Sequence, residues 1–381
     1  MCKSEDRSGA WEILQKSFEV AKEPSLAGIA EKVFAGERIS CEEALLLYRK
    51  ASLPFLGMLA AEVKKRYNGN KAFFNRNIHI ELTNICVCGC LFCSYSRKKG
   101  EEGSWEYSID DIMDQINSHL SGGITEVHIV GGVHPVWTME YYLKMISTIK
   151  KEFPHLHIKA FTAVEIDAMT SRAGISYEEG LRRLKEAGLD SLPGGGAEIF
   201  DPRVRKQLCP SKTTGEKWLA IHRAAHRTEL PSNATMLYGH IESYEQRVDH
   251  LNQIRSLQDE THGFNAFIPL KFRHENNAFS YLKEIPLLED LKNYALCRIF
   301  LDNIPHLKAY WPMIGKRAAQ LALVFGADDM DGTIEDTTKI YTLAGVEESP
   351  SMSTDEMIML IKEMGLQPVE RDSLYREIKI Y

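Results

Sequence analysis

From residue 77 onward the chain alternates short apolar runs with amphipathic stretches, and this alternation constrains the fold more than any other feature. Strand–helix–strand order demands a parallel sheet with crossover helices. The runs 78–83, 125–130, 157–163, 233–238 and 264–270 read as strands. A short fourth strand is expected before Pro193, and later ones at 298–301 and 308–311. The stretches 108–120, 140–151, 177–187, 214–227, 244–259 and 314–325 read as helices. Roughly eight such units make an α/β protein of the (β/α)8-barrel type.

The flanks read differently. Residues 10–70 are helical in pattern, with an apolar stripe at Trp11, Leu14, Phe18 and Val20 and a cap at Ser40. The end reads as a helix over 353–364 and a strand over 377–381. The expected division is an N-terminal helical extension (1–70), the barrel (71–330) and a C-terminal extension packed on it (331–381). On the first strand Ile78, Ile80 and Leu82 alternate with His79, Glu81 and Thr83. A filled barrel prefers branched apolar residues inside. Polar inward residues therefore predict a partly open barrel with a substrate cavity, in which His79 and Glu81 are candidate catalytic groups. The alternative is that the two merely pair inside the core.

Composition excludes several classes. There are 46 basic and 53 acidic residues, a net charge of −7 and a pI near 6.0, which argues against a protein bound mainly through nucleic-acid phosphates. No run approaches the 18 apolar residues of a membrane span. The first residues, Met1 to Arg7, are polar, so no secretory signal is expected. Eight cysteines, four of them crowded together, make a disulfide framework a poor reading and point to the cytoplasm.

The first strand runs straight into those crowded cysteines. Cys86, Cys90 and Cys93 are spaced C-x3-C-x2-C, with Phe92 before the last and Cys88 between the first two. Thiolates are the usual protein ligands of iron–sulfur clusters. Three on one loop can hold three irons of a [4Fe–4S] cubane and leave the fourth open to a small molecule. A zinc site would need a second cysteine pair, and none follows Cys90 and Cys93 closely; Cys209 and Cys297 are single in the sequence.

Other polar groups and glycines fall at predicted strand ends, where such barrels place their chemistry. Gly131-Gly132-Val133-His134-Pro135 follows the second strand, and two residues without Cβ let a ligand approach the backbone. His134 is a substrate-binding candidate or a loop residue. Thr162 and Glu165 lie at the end of the third strand; the carboxylate is a cofactor ligand or the acidic start of the next helix. Gly194-Gly195-Gly196 and Glu198, a catalytic candidate, follow the fourth. Tyr95 joins the cofactor-binding set, and Lys271, Arg273 and Lys308 are candidate carboxylate clamps.

The cysteine motif with its following Gly-Gly strand end resembles the radical S-adenosylmethionine (SAM) enzymes. Over residues 45–370 the chain is similar to one branch of them, the menaquinone-pathway futalosine enzymes and the deazaflavin cofactor synthases. The similarity rests on Asn84 with the cysteine loop, residues 131–135, Leu-Pro-Gly-Gly-Gly-Ala-Glu at 192–198, Met-Leu-Tyr-Gly-His-Ile-Glu at 236–242, Gln-Asp-Glu-Thr at 258–261 and Leu-Asp-Asn-Ile-Pro-His at 301–306. Tyr-Gly-His-Ile-Glu and Phe-Ile-Pro-Leu are most similar to the aminofutalosine synthases; Arg273-His274-Glu275 and Cys88 depart from the pattern. The resemblance implies a [4Fe–4S] cluster and SAM, consumed as a substrate. It also implies an electron donor such as flavodoxin or ferredoxin. The implied reaction adds the 5′-deoxyadenosyl radical to the enol ether 3-[(1-carboxyvinyl)oxy]benzoate, giving 6-amino-6-deoxyfutalosine, methionine and bicarbonate. Rival readings are the dehypoxanthine futalosine cyclase, a deazaflavin synthase subunit, an iron–sulfur electron carrier and a zinc-stabilised binding module.

Overall fold

Three amphipathic helices, Pro24–Ala35, Cys41–Lys50 and Leu53–Asn68, form an outer layer. The computed structural model describes residues 23–334, 340–346 and 351–381, so the stripe from Trp11 to Val20 lies outside the described residues. Ser40 accepts from the Glu43 N–H while the Glu43 carboxylate accepts from the Ser40 N–H, a capping box that fixes where the second helix starts. The third helix buries Phe55, Leu56, Leu59 and Ala60 and packs on the helix Leu287–Phe300.

Ten strands follow: β1 (Lys71–Asn75), β2 (Asn77–Glu81), β3 (Glu126–Val130), β4 (His157–Ala160), β5 (Ser232–Tyr238), β6 (Phe264–Lys271), β7 (His306–Leu307), β8 (Asp329–Gly332), β9 (Gln367–Arg371) and β10 (Glu377–Ile380). Three parallel strands, β2-β3-β4, form one arc and β5-β6-β7 a second. Single bridges, Lys159 to Ser191 and Leu192 to Ser232, carry the sheet between them. The bridge from Lys308 to Asp329 leads on to β8, which pairs with β1. Only Arg76 separates β1 from β2, so one kinked strand serves both ends of the sheet. No ladder joins β8 to β2 among the described residues. There Thr333 holds the seam, its N–H donating to the Asn75 carbonyl at 3.3 Å and its hydroxyl to the Asn77 carbonyl at 3.3 Å. The result is a partly open β/α barrel. On the other side of β1 lies β9, parallel to it, and then antiparallel β10.

The barrel interior is polar, as the first strand's alternation suggested. His79 and His128 are register partners on β2 and β3, and their rings lie 4.4 Å apart. Lys159 bonds Glu126 at 2.6 Å, Lys308 bonds Asp331 at 2.7 Å, and Arg371 pairs with Asp329. Each buried charge thus has its partner, without which burial would be prohibitive.

Several expected elements differ. Residues 298–301 end the helix Leu287–Phe300 rather than forming a strand. A short apolar run has no period to distinguish the two, and Leu291, Leu296 and Phe300 bury it as a helix. The third strand stops at Ala160, because Thr162 and Glu165 form a capping box that starts a helix over Ala163–Ala173. The fourth strand is reduced to the two bridges at Ser191 and Leu192. Past Lys308, Trp311-Pro312 opens a short helix, a position where proline's missing N–H costs nothing.

Candidate active site

The end of β2 leads into the cysteine loop, and the loop is anchored along its length. The Asn84 side chain accepts from the Trp105 N–H at 2.9 Å and donates to the Gly103 carbonyl at 2.8 Å. The Cys86 N–H donates to the Arg97 carbonyl at 3.0 Å, and the Leu91 N–H to the Leu208 carbonyl at 2.8 Å. Beneath the loop Cys88, Val133 and Val164 form a small apolar cluster.

Cys86, Cys90 and Cys93 line one open cleft of about 750 Å3. Gly131 and Gly132, Tyr95, Thr162 and Glu81 line the same cleft, with Phe92, Val133, Val164 and Ile340 as apolar wall. Five of the groups singled out beside the cysteines therefore converge on it. The Cys86 sulfur accepts from the N–H groups of Val133 at 3.4 Å and Cys88 at 3.5 Å. These bonds and, above all, one from the Cys88 thiol lower the Cys86 pKa against the effect of burial. Burial raises that of Cys93.

Glu165 is buried and follows directly on Val164, which lines the cleft. One carboxylate oxygen accepts from the Thr162 N–H and hydroxyl, each at 2.8 Å. The other, Oε1, is buried and has no partner. Burial pushes this carboxyl up to about 8 despite the two bonds. Gly132 is held tight for a different reason than a ligand's approach alone. A Cβ there would stand 2.4 Å from the Ile85 carbonyl oxygen and 3.0 Å from the Cys86 Cβ, so the strand end packs on the cysteine loop itself.

The remaining sequence-derived candidates are placed elsewhere. His79 lies inside the barrel, 3.2 Å from the Tyr341 hydroxyl, and burial pushes it down to about 4. His134 stacks on Trp137 at 4.4 Å, with Glu106 at 2.7 Å. Lys271 pairs with Asp290 at 2.8 Å and Glu284 at 3.0 Å, Arg273 with Glu284, and Lys308 with Asp331. A substrate carboxylate would have to compete with these protein carboxylates. Glu198 pairs with Lys212 at 2.6 Å.

Two residues escaped the sequence reading. Lys212 lines the cleft, and Cys209, single in the sequence, lies beside Cys90 with a thiol–thiol hydrogen bond. Both lie just after the helix Pro202–Leu208, some 120 positions from the cysteine motif in a segment without chemical periodicity. The 2.8 Å bond between Leu91 and Leu208, with the Cys90–Cys209 contact and Lys212 over the Phe92 ring, brings the segments together.

The family model described as the radical SAM superfamily matches residues 80–254, and that for the CofH/MqnC C-terminal region matches 261–380. An aminodeoxyfutalosine synthase of Thermus thermophilus is 43% identical over 94% of this chain and 98% of its own. The chain belongs to the radical SAM superfamily. A cyclic dehypoxanthine futalosine synthase of Streptomyces coelicolor, at 38% identity over 95% of this chain and 91% of its own, shows how close neighbouring activities lie within this branch of it. The crystal structure of methylornithine synthase shares this fold, with a TM-score of 0.71 at 17% identity, covering 90% of this chain and 97% of that one.

Proposed function

We propose that this radical SAM chain is an aminodeoxyfutalosine synthase of menaquinone biosynthesis. It joins the 5′-deoxyadenosyl group of SAM to 3-[(1-carboxyvinyl)oxy]benzoate, giving 6-amino-6-deoxyfutalosine, methionine and bicarbonate. The carrying observation is the single cleft that gathers three thiols, the Gly131-Gly132 strand end and Thr162, in a chain 43% identical along almost its whole length to a synthase of that name.

The residues present fit a [4Fe–4S] cluster and SAM. Cys86, Cys90 and Cys93 would hold three irons. Two backbone N–H groups already stabilise the Cys86 thiolate, and the unpartnered Glu165 Oε1 needs a cationic or donor group. When bound, the cluster supplies the one electron that cleaves SAM to the 5′-deoxyadenosyl radical. Glu165 would offer its unpartnered Oε1 to the methionyl ammonium, losing its proton on doing so. Gly131 and Thr162 bring backbone and hydroxyl close to the same ligand. Val133, Val164, Phe92 and Ile340 would give the bound cofactor an apolar wall. Glu81, on the strand that feeds the cysteine loop, also lines the cleft. The electron comes from a low-potential protein such as flavodoxin or ferredoxin.

Anaerobic turnover with adenine-labelled SAM and the enol ether tests this reading. The label should appear in a benzoate-containing product, with methionine released. Label found only in 5′-deoxyadenosine, with the enol ether saturating, would mean hydrogen abstraction and turn the assignment to the cyclase or a deazaflavin synthase.

A further inference from the structure

Lys212 is an unusual wall for a cleft built to hold a cluster. Its side chain is 14% exposed and stands 5.4 Å from the Phe92 ring, the aromatic inside the cysteine motif. It lines the same cleft as the three thiols. A buried ammonium needs an anionic partner, and Glu198 supplies one at 2.6 Å. Glu198 does so from a left-handed backbone conformation, φ 46°, which a non-glycine residue adopts only when the surrounding structure enforces it. The Gly194–Gly196 turn just before it is packed against β5, Thr162 and Val164, and fixes that conformation. The pair could serve only to tie the loop after residue 208 to the barrel, yet a neutral hydrogen bond would do that without burying a charge beside sulfur.

We infer that Lys212 is the fixed counter-charge that sets the reduction potential of the cluster held by Cys86, Cys90 and Cys93, and that Glu198 attenuates it. This rests on the cluster assignment above. In the redox step one electron passes from a low-potential one-electron donor into the cluster; no bond breaks and no proton moves. Reduction adds negative charge to a group already carrying three thiolates. A nearby cation stabilises the reduced state more than the oxidised one and raises the potential. Lys212 is thus a positioning residue acting through the cluster.

The test is a potentiometric titration of the reconstituted holoenzyme, following the reduced cluster by electron paramagnetic resonance, with iron content measured alongside. Lys212→Met should lower the ratio of reduced to oxidised cluster about tenfold at fixed potential, equivalent to about 59 mV for a one-electron couple. Lys212→Arg should stay within about twofold of the parent, and Glu198→Gln should shift the ratio the opposite way. If Lys212→Met fails to hold iron, Glu198→Gln decides. An unchanged or lowered reduced fraction in Glu198→Gln, or an unchanged one in a fully loaded Lys212→Met, overturns the inference. So does weaker SAM binding with unmoved potential, which would make Lys212 a ligand clamp. A parent protein that holds no cluster would refute the cluster assignment instead.

Discussion

At Gly132 the two neighbours that matter are the Ile85 carbonyl and the Cys86 Cβ, both on the cysteine loop. Any side chain there must push the loop's backbone, which cannot yield as a flexible side chain would. Gly132→Ala should therefore lose cluster, to less than about a third of parental iron and sulfide after anaerobic reconstitution. Full loading would show that the loop tolerates displacement. Cys88→Ser, in the same assay, should keep its iron. The Cys88 backbone N–H is untouched, and the serine hydroxyl can still donate where the thiol did. Cys90→Ser should not keep it.

At the scale of elements, β1 depends on pairing from distant sequence. Arg371 on β9 and Asp329 on β8 form a fully buried ion pair across β1, both side chains at 0% exposure. Removing one partner leaves the other charge stranded, at a cost of roughly 3–5 kcal/mol. Arg371→Leu should lower the denaturant midpoint accordingly, while Arg371→Leu combined with Asp329→Leu should recover part of the loss. Equal damage in single and double variants would refute the pairing argument. These strands also mark where sequence reading ended. Ser108–Asp111 and Ser176–Glu179 are legible helix starts, because each carries its own cap, and the helices begin at Ile109 and Tyr177. The cysteine loop was legible because its three thiols lie within eight residues of one another. In contrast β1, β8 and β9 are four or five residues each and mix charged with apolar residues, as in Asp329-Met330-Asp331-Gly332. Their identity comes from partners more than half the chain away. Lys212 was hidden for the same reason.

The whole molecule carries a pH dependence from its buried rings. Burial pushes His79 and His226 down to about 4 and His250 to about 3, and lowers His128 and His222 as well. The unfolded chain protonates these groups near 6.5. Between pH 6.5 and about 4 the unfolded state binds more protons, so stability falls as pH falls. Each fully buried ring contributes at most about 1.4 kcal/mol per pH unit. Glu165 acts oppositely, losing stability as pH rises from about 4.5 towards 8. Five rings outweigh one carboxyl. The thermal midpoint of chelator-treated protein should therefore drop steadily from pH 6.5 to 4.5, and His226→Gln should flatten part of that slope. A level profile across the window would mean that the rings gain charge without loss of structure.

The kinked strand β1–β2 has a consequence for how the molecule is made. One of its halves meets β3 soon after it leaves the ribosome, but the other waits for β8 and β9, which follow only after residue 328. Long-range parallel pairing is slow to form and leaves apolar surface open meanwhile. Phe73 and Phe74, buried in the finished protein, would stay uncovered until those strands emerge. Nascent chains stalled before residue 329 should therefore bind chaperones and lack a closed barrel, whereas the β2-β3-β4 arc and its cysteine loop can assemble early.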